Sequence, residues 1–145
     1  MAAIEEFLNP KQEEEVVKAI QEAEKRTSGE IRVHIEKTAR KEIWDRAMEV
    51  FHLLKMDNTR DRNGVLIYVA IEDRQFIIYG DRGINAVVPP NFWESTKDAI
   101  SREFKKGNFK QGLIDGITRA GKELQEHFPW SEGDQNELSN QISRE

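Results

Sequence analysis

Apolar and polar positions alternate along this chain in two different rhythms, and the switch between them marks the elements. Val16, Val17, Ile20 and Ala23 recur at helical spacing. They follow Asn9-Pro10-Lys11-Gln12, where Asn9 suits a cap, Pro10 the first helical position and Gln12 the far corner of a capping box. Ser28-Gly29 closes that helix. Ile31, Val33 and Ile35 then alternate with Arg32, His34 and Glu36, which predicts a strand with one buried face and one polar face. Thr38 is placed to cap a second helix with the stripe Ile43, Ala47, Val50, Phe51 and Leu54. Val65 to Ile71 is apolar on both faces, the mark of a central strand covered on both sides. Glu72-Asp73-Arg74 turns the chain into a further strand, Gln75 to Tyr79.

After Pro89-Pro90, Asn91 and Glu94 have capping-box spacing ahead of a helix with Trp93, Ile100 and Phe104, ended by Gly107. Asn108 is placed to cap a last helix with the stripe Leu113, Ile117, Ala120 and Leu124. Gly112, Gly116 and Ala120 share one side of it. Charged residues interrupt that side too often for a membrane seam, so it predicts close packing on a neighbour. The strand–helix–strand order from Ile31 to Ile71 predicts a parallel, right-handed βαβ unit, and the hairpin adds an antiparallel strand. The expected fold is a three-layer α/β/α sandwich: a small mixed sheet flanked by about four helices. Residues 1–129 form the domain, and the polar stretch from Trp130 to Glu145 is expected to be a disordered tail.

Composition narrows the functional classes. A chain of 145 residues has enough length for one domain with a real core. The formal charge of −5 and the lack of a basic stripe argue against a nucleic-acid partner. Without cysteine there is no disulfide, thiolate nucleophile or thiolate metal site. No apolar run approaches the roughly 20 residues that span a bilayer, and Met1-Ala-Ala-Ile-Glu-Glu is not a signal peptide. The expectation is a cytoplasmic monomer, with a protein partner that the sequence does not identify.

The candidate chemistry lies in the loops around the hairpin. An antiparallel pair sets the start of its first strand beside the end of its second, so the loop holding Asp61 and Asn63 should adjoin the loop holding Asp81. Thr59, Asp61 and Asn63 before Gly64 fall where an EF-hand loop places its first ligands. The twelfth position is Ala70, in a strand, so this is not an EF-hand. Alternating oxygen donors still suit a hard cation. Asp61, Asn63, Asp81 and Asp57 are therefore the candidate metal ligands, with calcium or another divalent ion as the cofactor. The other reading of the same residues is turn chemistry ahead of a strand. Gly80-Asp81-Arg82-Gly83 offers amides to an anion only weakly. His34, His52 and His127 lack zinc spacing, and His34 and His52 read as solvated. No nucleophile elbow, P-loop or dinucleotide fingerprint is present.

Taken in order, Thr27-Ser-Gly-Glu-Ile-Arg-Val-His-Ile35, Ala47 with Phe51, Asn63-Gly-Val-Leu-Ile-Tyr-Val-Ala70, Asp73-Arg74, Gly80, Gly83-Ile84 and Phe109-x-x-Gly112 to Ile117 resemble a TPM domain. The likeness runs from about Pro10 to Glu126. The family comprises thylakoid-lumen and bacterial envelope modules. The resemblance implies an α/β/α sandwich and a divalent ion held by acidic loops at one end of the sheet, which carries over to Asp61, Asn63, Asp81 and Asp57. Some members are described as acid phosphatases, and others act in photosystem repair or receptor assembly. The expectation is a domain without the leader or C-terminal membrane segment of bacterial relatives, and Gly83-Ile-Asn-Ala-Val-Val-Pro89 replaces a commoner acidic loop. Two functions follow: a calcium-binding interaction or assembly module without catalysis, or a metal-assisted phosphatase acting on phosphomonoesters. The first is the expectation, because no histidine or serine stands beside the acids in sequence.

Overall fold

The computed structural model describes residues 7–130 and 141–144. Its elements are α1 (Pro10–Glu24), β1 (Glu30–Glu36), α2 (Ile43–Leu53), β2 (Gly64–Ala70), β3 (Gln75–Gly80), α3 (Arg82–Asn85), α4 (Glu94–Lys105), α5 (Phe109–His127) and β4 (Ser143–Arg144). The sheet order is β3-β2-β1-β4. β1 and β2 pair in parallel from Glu30↔Gly64 to Glu36↔Ala70. β2 and β3 pair antiparallel from Val65↔Gly80 to Ala70↔Gln75. The expected βαβ unit and hairpin are both present, and β2 is buried at every position, as its two-sided apolarity requires.

Two separate cores produce the layers. On one face, Ile31, Val33, Ile35, Val65, Ile67 and Val69 pack with Val16 and Ile20 of α1, Ile100 of α4, and Leu113, Ile117 and Leu124 of α5. On the other, Leu66, Tyr68 and Ala70 pack with Ala47, Val50 and Phe51 of α2 and with Met56. The result is a three-layer α/β sandwich with a mixed four-stranded sheet and five helices among the described residues, one of them the four-residue α3. The small side of α5 fits closely against α4: a Cβ on Gly116 would come 2.5 Å from the Ile100 side chain.

Of the local capping signals, one is realised in full and the others are not. Asn9 and Gln12 form the full capping box of α1, at 2.8 and 2.9 Å. Thr38 does not cap α2. Its hydroxyl instead donates to Asp73 of the hairpin turn at 3.0 Å, the Asp73 carboxylate also takes the Ala39 N–H at 2.9 Å, and Glu42 caps a helix that begins at Ile43. Neither Asn91 nor Asn108 makes the expected side-chain cap. α4 follows Trp93 directly, and the Asn108 amide donates to Glu103 at 3.1 Å.

The tail expected from Trp130 onward lies mostly outside the described residues. Within them, Ser143 and Arg144 are ordered rather than free: they pair in parallel with His34 and Ile35 and extend the sheet past β1. A strand edge offers unpaired amides and carbonyls to any chain that reaches it, and this polar segment reaches it.

Candidate metal loops and a buried polar clamp

The hairpin brings the two candidate loops into direct contact. The Asp81 N–H donates to Gly64 O at 2.9 Å, and the Gly83 N–H donates to Arg62 O at 2.9 Å. A Cβ at Gly83 would lie 2.2 Å from Asp61 O and 2.5 Å from Arg62 O. Only glycine permits this approach, because backbone oxygens cannot swing aside as a side chain can. Asp81 caps α3 by accepting the Arg82 N–H at 2.7 Å. The stretch read as an open acidic loop is therefore a capped helical turn.

The predicted ligands divide by burial. Asn63 and Asp81 are buried, at 1% and 7% exposure. One Asp81 oxygen, Oδ2, has no hydrogen-bond partner, nor does Asn63 Oδ1, nor Oγ1 of buried Thr59. The Asn63 amide is turned toward Ser28 Oγ at 3.3 Å, which leaves its oxygen unused. Asp61 is exposed and pairs with Arg60 at 3.2 Å. Asp57 lies 3.8 Å from His52 and 3.9 Å from Arg62. Thr59, Asn63 and Asp81 are thus buried in two adjoining loops, while Asp61 and Asp57 lie nearer the surface beside cations.

Among the described residues, no group of three or more His, Cys, Asp or Glu side chains is arranged to hold a metal. The donor set is one carboxylate with amide and hydroxyl oxygens. Such a set fits a hard ion such as calcium and offers nothing to a softer one. A buried polar oxygen without a partner costs on the order of 1–3 kcal/mol. Three in one loop pair are an unusual concentration.

A second cluster was not legible as a site. On the α2 side of the sheet, Glu36 is fully buried. It accepts from Arg46 Nε at 2.7 Å and Nη2 at 2.8 Å, from the Tyr68 hydroxyl, and is joined to His34 Nε2 at 3.1 Å. Burial pushes this carboxyl up, but the hydrogen bonds from Arg46, Tyr68 and His34 outweigh it and hold the group at about 2. The Arg46 guanidinium is raised above its ordinary value, first by its bond to Glu36. The Tyr68 phenol is raised by burial and then by Glu36.

His34 was expected to be solvated. It is 4% exposed, its ring lies parallel to Tyr68, and its Nδ1 meets Ser143 Oγ at 3.1 Å. A hydroxyl, an imidazole and a carboxylate thus stand in line, as in a hydrolase triad. All three are less than a tenth exposed, and the carboxylate is already saturated by Arg46 and Tyr68. The arrangement holds α2 and β4 to β1. The signal that could have found it is the two-sided apolarity of β2: a helix covering that strand must also cover the polar face of its neighbour.

A third perturbed group, Glu24, ends α1. Burial, with the charge of Glu30 adding to it, raises its carboxyl to about 8 despite the bond that Oε2 accepts from the Ile31 N–H at 2.8 Å.

Comparison with known proteins follows the fold. The family model described as the TPM domain matches residues 3–123. The NMR structure of BA42 protein from the psychrophilic bacterium Bizionia argentinensis is 59% identical over 100% of both chains, with a TM-score of 0.93. The N-terminal domain of a protein from P. gingivalis, solved by solution NMR, shares 18% identity over 84% of this chain and 79% of that one, with a TM-score of 0.69. At that identity it supports the fold alone. Among curated proteins, none matches this chain. No helix among the described residues is long and apolar enough to cross a membrane.

Proposed function

The chain belongs to the TPM domain family, and from that premise we propose that it is a calcium-binding module with an interaction or assembly role rather than a catalytic one. The observation that carries this reading is the set of three buried oxygens without partners, Thr59 Oγ1, Asn63 Oδ1 and Asp81 Oδ2, in loops pinned together by Gly83. Asp81 supplies the charge, with Asn63 and Thr59 as neutral donors. Asp61, in the same loop, would have to leave Arg60 to join, and Asp57 is a surface reserve. The ion supplies positive charge that offsets the buried carboxylate and ties the two loops. Few charged ligands place such a site at the weak end of calcium affinities, with a Kd of about 10⁻⁴ to 10⁻³ M.

The catalytic alternative, a metal-assisted phosphomonoesterase, draws support from His52, which stands exposed beside Asp57 on the outer side of the loop. A general base must come within about 3 Å of the proton it takes, directly or through one water. His34 cannot serve, since both its ring nitrogens are engaged in a buried cluster.

Calcium titration followed in backbone NMR spectra tests the module reading. The amides from Thr59 to Asn63 and from Asp81 to Gly83 should shift and saturate, while those of Glu72 and Asp73 stay still. Asp81→Asn keeps the cap oxygen for Arg82 and removes the charge, so it should abolish the response. At a hundredfold excess over Kd, calcium should add roughly 2.7 kcal/mol of stability. No response at millimolar calcium would defeat the proposal. Metal-dependent turnover of a generic phosphomonoester that is lost in His52→Ala would transfer the function to the alternative.

A further inference from the structure

At the opposite end of the sheet from the calcium loops lies a cavity of about 770 Å³, lined by Phe7, Ile71, Phe76, Phe104 and Phe109, with Arg74 and Lys105 among its polar lining residues. Its rings pack edge to face. Phe76 meets Phe104 at 5.5 Å and 71°, and Phe104 meets Phe109 at 5.6 Å and 77°; Phe7 stacks on Phe109 at 4.3 Å. Phe76, Phe104 and Phe109 are each only partly buried.

The charges around it are not balanced. Glu72, the one acid of the lining among the described residues, is drawn toward Lys37 at 3.9 Å. Neither Arg74 nor Lys105 has an ion-pair partner among the described residues. Both cations line the same cavity as the aromatic wall. Arg74 also holds a positive φ of 52°, which costs a non-glycine residue some strain and fixes where its side chain leaves the hairpin turn. A volume of this size, mostly apolar walls and a few placed charges are the marks of a small-molecule site.

We infer that this cavity binds a small carboxylate with an apolar body, an aryl or medium-chain acyl acid, whose body lies against Phe76, Phe104 and Phe109 and whose carboxylate pairs with Arg74 and Lys105. The site is separate from the calcium loops, since it is built at the other ends of β2 and β3. The two sites share no residue.

The test uses the full chain. 4-Phenylbutyrate is titrated into it at constant ionic strength and followed by backbone NMR, with 4-phenylbutyramide as the uncharged twin. The acid should shift the amides of Arg74, Phe76, Ser101, Phe104 and Lys105 to saturation, with and without calcium. The twin, and the acid on the variant Arg74→Gln/Lys105→Gln, should bind about fivefold more weakly or worse, the sum of two partly exposed charge pairs. Both substitutions are at exposed positions, so the variant keeps its fold. Shifts scattered elsewhere, no saturation, or equal binding of acid and amide would overturn the inference. A peptide ending in phenylalanine that binds far more tightly than the acid would also overturn it, in favour of a peptide ligand.

Discussion

Replacing Arg46 with methionine isolates what the buried clamp does. Methionine keeps an apolar stem against the sheet and removes the guanidinium that gives Glu36 bonds of 2.7 and 2.8 Å. Glu36 then remains fully buried with only Tyr68 and His34. Removing one partner of a buried pair costs about 3–5 kcal/mol, because a charge is left uncompensated. The depressed Glu36 carboxyl points the same way, because the bonds from Arg46, Tyr68 and His34 together outweigh its burial. A depressed carboxyl contributes stability that is present above its unfolded value of 4.5 and lost as pH falls through about 2. In the variant, burial acts unopposed by Arg46 and raises the carboxyl, so its deficit should be largest at pH 7 and shrink toward pH 2. Urea unfolding followed by tryptophan fluorescence between pH 7 and pH 2.5 measures both. Adding Glu36→Gln to the variant should recover more than half of the loss, since no charge is then stranded. A loss under about 1 kcal/mol at pH 7, with an acid profile like that of the parent, would refute the clamp.

Two further outcomes follow from the same geometry. Gly83→Ala should cost about 1–3 kcal/mol and blunt the calcium response, because its Cβ meets Asp61 O at 2.2 Å and must push the loops apart; a melting temperature equal to the parent's would show that the loops are not locked there. Glu24→Gln should leave stability unchanged below pH 4.5 and raise it by 1 kcal/mol or more, on the order of the linkage expected, at pH 8.5. The sign follows from a carboxyl raised from 4.5 to about 8, whose stabilising contribution fades as pH rises through that range; parallel pH profiles for parent and variant in urea unfolding would count against it.

Periodicity made the frame readable because each of its signals is local. A strand apolar on both faces can only be central, and a hairpin can only set its outer ends side by side; from these two facts came the position of β2 and the contact between the Asp61 and Asp81 loops. The misses around the sites have a different origin. Thr38 has the chemistry of a cap, but its hydroxyl found Asp73, 35 residues away, and the helix began without it. His34 and Glu36 occupy the polar face of an alternating strand, and alternation separates two faces without saying which one meets water. Ser143 and Arg144 have no strand signature at all, and their pairing depends on an edge of β1 left open by the order of the other strands. Within the candidate metal set, Asp57, Asp61 and Asp81 are the same residue type. Only the fold sorts the buried one with a free oxygen from the two held at the surface by cations.

The clamp and the loops are mechanically connected. α2 is the only described helix packed in the second core, and Arg46 ties it to β1 through Glu36. The chain leaves α2 at Leu53 and is caught again at once: Met56 is fully buried, and its N–H donates to Phe51 O at 3.0 Å. The far end is fixed where Asn63 O accepts the Glu30 N–H at 3.3 Å and Gly64 begins β2. Between these anchors the side chains of Asn58, Arg60 and Asp61 are exposed, while the backbone at Asp61 and Arg62 is held against Gly83. An ion held by Asn63 and Asp81 would meet a loop whose backbone is already placed, at small entropic cost, while the sheet beneath stays as it is. The exposed acids Asp57 and Asp61, each paired with an arginine of the same loop, are then the residues whose partners change when the charge in the loop changes.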